Sequence, residues 1–325
     1  MTNSNDELMM ETMYWWGIPT LFRCEHQKDI SKCDIALVGV PHSTGNGTTE
    51  RDQHLGPRAV RHVSAGLRRV HLNFNINPWK QKKIFDLGDV ALPHANNNER
   101  CIEDITNFYE RIAKEKKPVV SIGGDHSITG GILQGLGSNN LELTKGKKIS
   151  FLHIDAHTDT FSQLDHFMGA KKSAAHWGAY LVEQGIIDPK TSMQIGMRGN
   201  PRTLDWLQPS YDLGYNVVTM DEFKKRGIDD VIRETLDKIG DNPVYITFDL
   251  DSLDATVAPA VSNIEPGFTG FSVDEAKALI QSVKNKNVIG GDVVCLMPTK
   301  DQKNNITSMV AASIMFEIIS VIAYK

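Results

Sequence analysis

Eight short apolar runs, continuous rather than alternating in several cases, constrain the fold more than any other feature of this chain. They lie at Ile35–Val40, Lys83–Asp86, Val119–Ile122, Ile149–Ile154, Ser192–Ile195, Asn216–Thr219, Val244–Phe248 and Val288–Leu296. A strand with one face in water alternates apolar and polar residues, whereas a strand buried on both faces does not. Helical patterns fall between the runs. Pro57–Ser64 opens with a Pro, which suits a first helical turn. Ile102–Ala113, Asp221–Ile239 with a break expected at Gly227, Val273–Val283 and Asn304–Ile322 follow. This alternation predicts a doubly wound α/β domain with a mostly parallel sheet of about eight strands. No repeat or long linker interrupts the pattern, so residues 34–325 read as a single domain. Residues 1–33 read as an extension. Its aromatic patch, Met13 to Phe22, would pack on the body of the domain or on a neighbouring subunit.

Charge and cysteine usage narrow the classes. The formal charge is −5 over 325 residues and the Lys-rich pieces are short, so no nucleic-acid footprint is expected. Cys24, Cys33, Cys101 and Cys295 are widely spaced, which fits reduced thiols and a cytoplasmic chain. The first residues lack the positive flank and apolar run of a signal peptide. The most apolar stretch, Met309 to Tyr324, is short and contains Glu317, so a buried helix is expected there rather than a membrane span.

The chemistry sits where three runs end. The run at Val119–Ile122 leads into Gly123-Gly124-Asp125-His126, and the two glycines allow a sharp turn that places His126 just past the strand. In an open α/β sheet that rim is where ligands bind. The run at Ile149–Ile154 leads into Asp155-Ala156-His157-Thr158-Asp159, with three potential ligands in five residues. The run at Val244–Phe248 leads into Asp249-Leu250-Asp251. Carboxylates at the ends of buried strands need a cation or hydrogen bonds to offset desolvation. Four carboxylates and two imidazoles exceed the needs of one tetrahedral ion, and the set contains no thiolate, which argues against structural zinc. Oxygen-rich mixed ligation suits two divalent ions, manganese first and nickel, cobalt or iron after it. Two such ions lower the pKa of a shared water and aim it at an electrophile, which points to a hydrolase. His153 lies inside its run and reads as a core or supporting histidine, and Asp254 as a cap or supporting group.

These three stretches, with Gly39-Val40-Pro41 and Gly56-Pro57-Arg58 before them, make the chain resemble the ureohydrolase superfamily of arginases, agmatinases and guanidinobutyrases. Gly17-Ile18-Pro19-Thr20-Leu21-Phe22-Arg23 is similar to the agmatinase branch. The resemblance implies a three-layer arginase-like fold, a trimer or hexamer, and cleavage of a guanidino C–N bond to release urea and an amine. It implies one metal on His126, Asp155, Asp159 and Asp249, and another on Asp155, His157, Asp249 and Asp251. Asp159 would orient the attacking hydroxide and pass its proton onward. A histidine on the following loop would carry that proton to the leaving amine, a place taken by His176, with His166 as the competitor.

Two positions depart from the family pattern. The family has a Glu after the last long strand to grip the guanidinium, and the register puts Cys295 there. Trp177 follows His176 and reads either as a wall of the substrate pocket or as packing beneath the loop. The expected substrate is thus a small cationic guanidino compound with a short tail or none. Agmatine, biguanides and a non-catalytic role in such an enzyme stay open as alternatives, as does a deacetylase on a related fold.

Overall fold

The computed structural model describes residues 4–47, 50–137, 143–162, 169–267 and 269–324. Each of the eight apolar runs forms a strand: β1 (Ile35–Val40), β2 (Ile84–Asp89), β3 (Val119–Gly123), β4 (Ser150–Ile154), β5 (Met193–Met197), β6 (Asn216–Thr219), β7 (Pro243–Asp249) and β8 (Asn287–Val294). They form one sheet in the order β2-β1-β3-β8-β7-β4-β5-β6, and every pairing is parallel. The six inner strands are buried almost throughout, while the outer strands β2 and β6 keep partly exposed residues. Continuous apolar runs therefore mark strands covered on both faces.

Successive side chains of a strand point to opposite faces, and β1 shows it. Ile35 and Leu37 join the apolar layer that contains helix Ile306–Ala323. Ala36, Val38 and Val40 join the layer that contains helices Asn98–Lys114 and Ile128–Gly137. Helix Ile306–Ala323 is long and apolar enough to cross a membrane, but most of it is buried against the sheet, as expected for a core helix. The expected break at Gly227 is present: φ is 82° there, dividing helix Met220–Arg226 from helix Ile228–Ile239.

Helix Ile128–Gly137 carries no clear periodic signal, because glycines occupy Gly130, Gly131, Gly135 and Gly137. Their place has a packing reason. A Cβ at Gly135 would lie 2.6 Å from the backbone oxygen of Thr106, so the helix can approach Asn98–Lys114 this closely only without side chains. In the N-terminal segment Leu21 and Phe22 are buried in the core, whereas Trp15 and Ile18 are exposed.

The sheet order positions the site. β3 and β4 are consecutive in sequence, yet β8 and β7 lie between them. The chain changes winding direction there, leaving a crevice at the carboxyl ends of the strands. His126, Asp155 and Asp249 all stand at those ends.

Candidate metal centre

Around His126 three carboxylates converge. Its Nδ1 lies 2.9 Å from Asp155 Oδ2, 3.0 Å from Asp159 Oδ2 and 3.2 Å from Asp249 Oδ2. A second set forms around His157, whose Nδ1 lies 3.4 Å from Asp155 Oδ1 and 3.2 Å from Asp251 Oδ2. Asp155 thus presents one oxygen to each set, the arrangement of a carboxylate shared by two cations. Asp249 presents Oδ2 to the first set, while its Oδ1 accepts the Asp251 N–H at 2.9 Å.

Two buried atoms test whether cations fit. His126 Nδ1 and Asp251 Oδ2, one in each set, make no hydrogen bond among the described residues. Such atoms are rare in folded proteins and need a partner. Burial opposes a charged His126, yet the carboxylates of Asp155, Asp159 and Asp249 raise its pKa well above the ordinary value. Burial, followed by the charge of Asp249, holds the Asp251 carboxyl well above the usual range. Both directions arise from negative charge crowded in a dry place, and a divalent cation in each set answers both.

Polar residues set inside the strands orient these ligands. Thr247 donates its hydroxyl to Asp292 Oδ1 at 2.7 Å, so its oxygen is left to accept from His126 Nε2 at 2.8 Å. That bond places the imidazole proton on Nε2 and turns the Nδ1 lone pair toward the carboxylates. Asp292 is fully buried and also accepts from Thr129 and Tyr245, both at 2.9 Å. Gln194 Nε2 donates to the Thr158 carbonyl and faces His153 Nδ1 at 3.1 Å. His153 then donates from Nε2 to Asp155 Oδ2 at 2.7 Å, which makes it a support rather than a ligand, although it lies within ligand distance of the first set. Arg198 donates to the carbonyls of Asp251, Ser252 and Leu253, clamping the turn after β7. Glu265 Oε1 lies 3.3 Å from His157 Nε2. Sequence reasoning passed over Gln194, Thr247 and Asp292. Their signal was available, since each is a polar residue within an apolar run and must find a buried partner. Glu265 and Arg198 carried no comparable signal.

A cavity of about 340 Å³ opens onto the centre, at the small end of the range for small-molecule sites. His126, His157, Asp159, Asp249 and Cys295 line its inner part, and Asn200, Arg202, Trp206 and Asn263 also line it. Cys295 follows β8 with φ at 70°, and its backbone N–H donates to the Gly124 carbonyl. Burial, then the charges of Asp249 and Asp251, push its thiol well above the ordinary value, so it stays protonated.

The other expected pocket residues stand differently. Trp177 is not on the cavity wall: as the first residue of helix Trp177–Glu183 it turns beneath the centre, fully buried, with its ring packed on His126, His153 and Phe151. Its Nε1 donates to Asp159 Oδ2 at 3.0 Å. His176 is 4% exposed, with Nδ1 2.5 Å from Ser173 Oγ, and on this loop the cavity wall is made by Ala174 and Ala175. His166 lies outside the described residues.

Comparison with known proteins agrees with this geometry. The Arginase family profile matches residues 33–320. The chain is 30% identical to a guanidinopropionase from Pseudomonas aeruginosa over 309 residues, covering 94% of this chain and 92% of that one. It is 31% identical to a human mitochondrial guanidino acid hydrolase over 303 residues, covering 93% and 82% of the two chains. The solved structure of proclavaminate amidino hydrolase from Streptomyces clavuligerus superposes with a TM-score of 0.86 at 27% identity, over 96% of this chain and 99% of that one. With paired His/Asp sets at the switch point of a parallel sheet, this chain belongs to the arginase family and is a metal-dependent hydrolase of guanidino compounds.

Proposed function

We propose that the substrate is a short guanidino acid, cleaved at a guanidino C–N bond to urea and an amino acid. The composition of the cavity carries this reading. Its acids among the described residues, Asp159 and Asp249, both belong to the metal sets, so neither is spare for pairing with the guanidinium. The one Lys or Arg among those residues is Arg202. A carboxylate tail would pair with Arg202, whereas the amine tail of agmatine would meet like charge. The small cavity favours a short tail. The names of two relatives, the guanidinopropionase and the guanidino acid hydrolase, support the same class.

Manganese or nickel ions are the proposed cofactors. His126, Asp155, Asp159 and Asp249 would hold one, and Asp155, His157, Asp249 and Asp251 the other. Bound there, the pair would supply a water acidic enough to attack at neutral pH. Asp159 belongs to the first set and also faces the cavity, so its carboxylate would accept a proton from the attacking water and return it to the leaving nitrogen. The Cys295 thiol, Ala174, Ala175 and Phe161 give the guanidinium a largely apolar surround.

Urea release from metal-reconstituted protein tests the proposal. The panel is guanidinoacetate, guanidinopropionate, guanidinobutyrate, agmatine, arginine, free guanidine and a biguanide. The acids are expected to lead, and Arg202→Ala to lower their kcat/KM about tenfold while leaving free guanidine unchanged. Agmatine outrunning guanidinobutyrate would overturn the tail assignment. Turnover of the biguanide alone would make the chain a biguanide hydrolase. Two bound ions without urea from any member would favour the non-catalytic role.

A further inference from the structure

We propose that Trp177 is a positioning residue for Asp159, and that its indole N–H is what makes Asp159 an effective ligand for the ion on the His126 side. The inference rests on the two-metal reading and goes beyond it.

Asp159 occupies a position that its backbone does not favour. Its φ is 53°, in the left-handed region, and it stands on a loop beyond β4 rather than within the strand. Something outside the residue must hold it there. The first turn of helix Trp177–Glu183 does so at two points. The Gly178 N–H donates to the Asp159 carbonyl at 2.9 Å, and Trp177 Nε1 donates to Asp159 Oδ2 at 3.0 Å. A Cβ at position 178 would stand 2.9 Å from that carbonyl, so the contact requires glycine.

The carboxylate oxygen that accepts from Trp177 is the same one that faces His126 Nδ1 at 3.0 Å. A carboxylate oxygen offers about two lone-pair directions. With one taken by the indole, the other is left for the point shared with His126 Nδ1, Asp155 Oδ2 and Asp249 Oδ2. The indole itself cannot drift, because it is fully buried and packed within 5.0–5.4 Å of the rings of His126, His153 and Phe151. A buried indole N–H needs a partner, so the restraint acts in both directions.

On the His157 side no indole backs a ligand: Asp155 Oδ1 accepts from the His157 backbone N–H at 2.7 Å and Glu265 stands behind the imidazole, both away from Trp177. Asp251 Oδ2, its facing oxygen, makes no hydrogen bond among the described residues. Removing the indole N–H should therefore weaken one ion and not the other, and because the ring also packs on His126, the exchange must keep the ring's shape to separate the hydrogen bond from the packing.

The experiment replaces Trp177 with benzothienylalanine, which keeps the bicyclic shape and exchanges N–H for sulfur, alongside Trp177→Phe. Metal per subunit is measured by elemental analysis during dialysis against graded chelator, and the cobalt-substituted proteins are followed by visible absorption. The wild-type protein is expected to hold two ions. The benzothienylalanine protein is expected to release one of them about tenfold more readily, the scale for loss of a partner behind a ligand, with the second ion unchanged. Tryptophan analogues that keep the N–H, such as azatryptophan at position 177, should restore both. Unchanged release of both ions, or equal weakening of both, would overturn the inference. A wild-type protein that never holds two ions would overturn the two-metal reading itself and this inference with it.

Discussion

Asp249 and Arg202 face the same cavity but are held by opposite means. Asp249 is the last residue of β7, a strand flanked on both sides, and its own oxygens accept from Asp251 and Ser252. Arg202 stands exposed on the loop after β5. The centre is thus built at and just past the ends of β3, β4 and β7, held by supporting hydrogen bonds from within the sheet, while the tail end of the cavity is built on loops farther from the strands. The difference means that the reacting end and the recognition of the tail can change independently.

Substitutions on the two sides should expose that division. Asp155→Asn has the largest expected effect, since one oxygen of this carboxylate serves each set. Turnover should fall about a thousandfold, equivalent to roughly 4 kcal/mol, with loss of bound metal by elemental analysis. Both ions retained at wild-type affinity would remove Asp155 as the shared ligand. Thr247→Val removes the acceptor behind His126, and metal affinity by calorimetry should fall about 10- to 100-fold, whereas Thr247→Ser should keep it. At the guanidinium end of the cavity, Cys295→Glu places a carboxylate beside Asp249. Agmatine and guanidinopropionate should both gain about tenfold in kcat/KM, their ratio staying fixed because the tail end is untouched, and unmoved kcat/KM for both would mean that position 295 does not face the guanidinium. The smallest effect is expected for His176→Ala. Bonded to Ser173 behind the Ala174–Ala175 wall, it should change kcat only about two- to fivefold through that loop. A hundredfold drop with normal metal content would return the proton shuttle to His176.

The same division governs what could be read without coordinates. The strands were legible because burial on both faces leaves an unbroken apolar run. The candidate ligands were legible because Asp155, Asp249 and Asp251 follow such runs, where charge needs a partner to offset burial. Trp177 was not, since adjacency to His176 says nothing of the direction a side chain takes when a helix begins between the two. Helix Ile128–Gly137 was hidden by glycines chosen for close approach rather than propensity. Arg202, Asn200 and Asn263 sit on loops without periodicity, so only their convergence in space marks them.

The order of the sheet has a consequence for how the protein comes into being. β7 and β8 begin at residues 243 and 287, yet they fill the middle of the sheet, between β3 and β4. A nascent chain that has reached only residue 240 therefore holds two half-sheets with no strand to join them. His126 and Asp155 are then the ends of separate edges. Contacts between residues so far apart in sequence form late and slowly. Neither ion can acquire its full set of ligands before the last third of the chain has been made and threaded between the earlier strands, so metal capture reports completion of the whole fold.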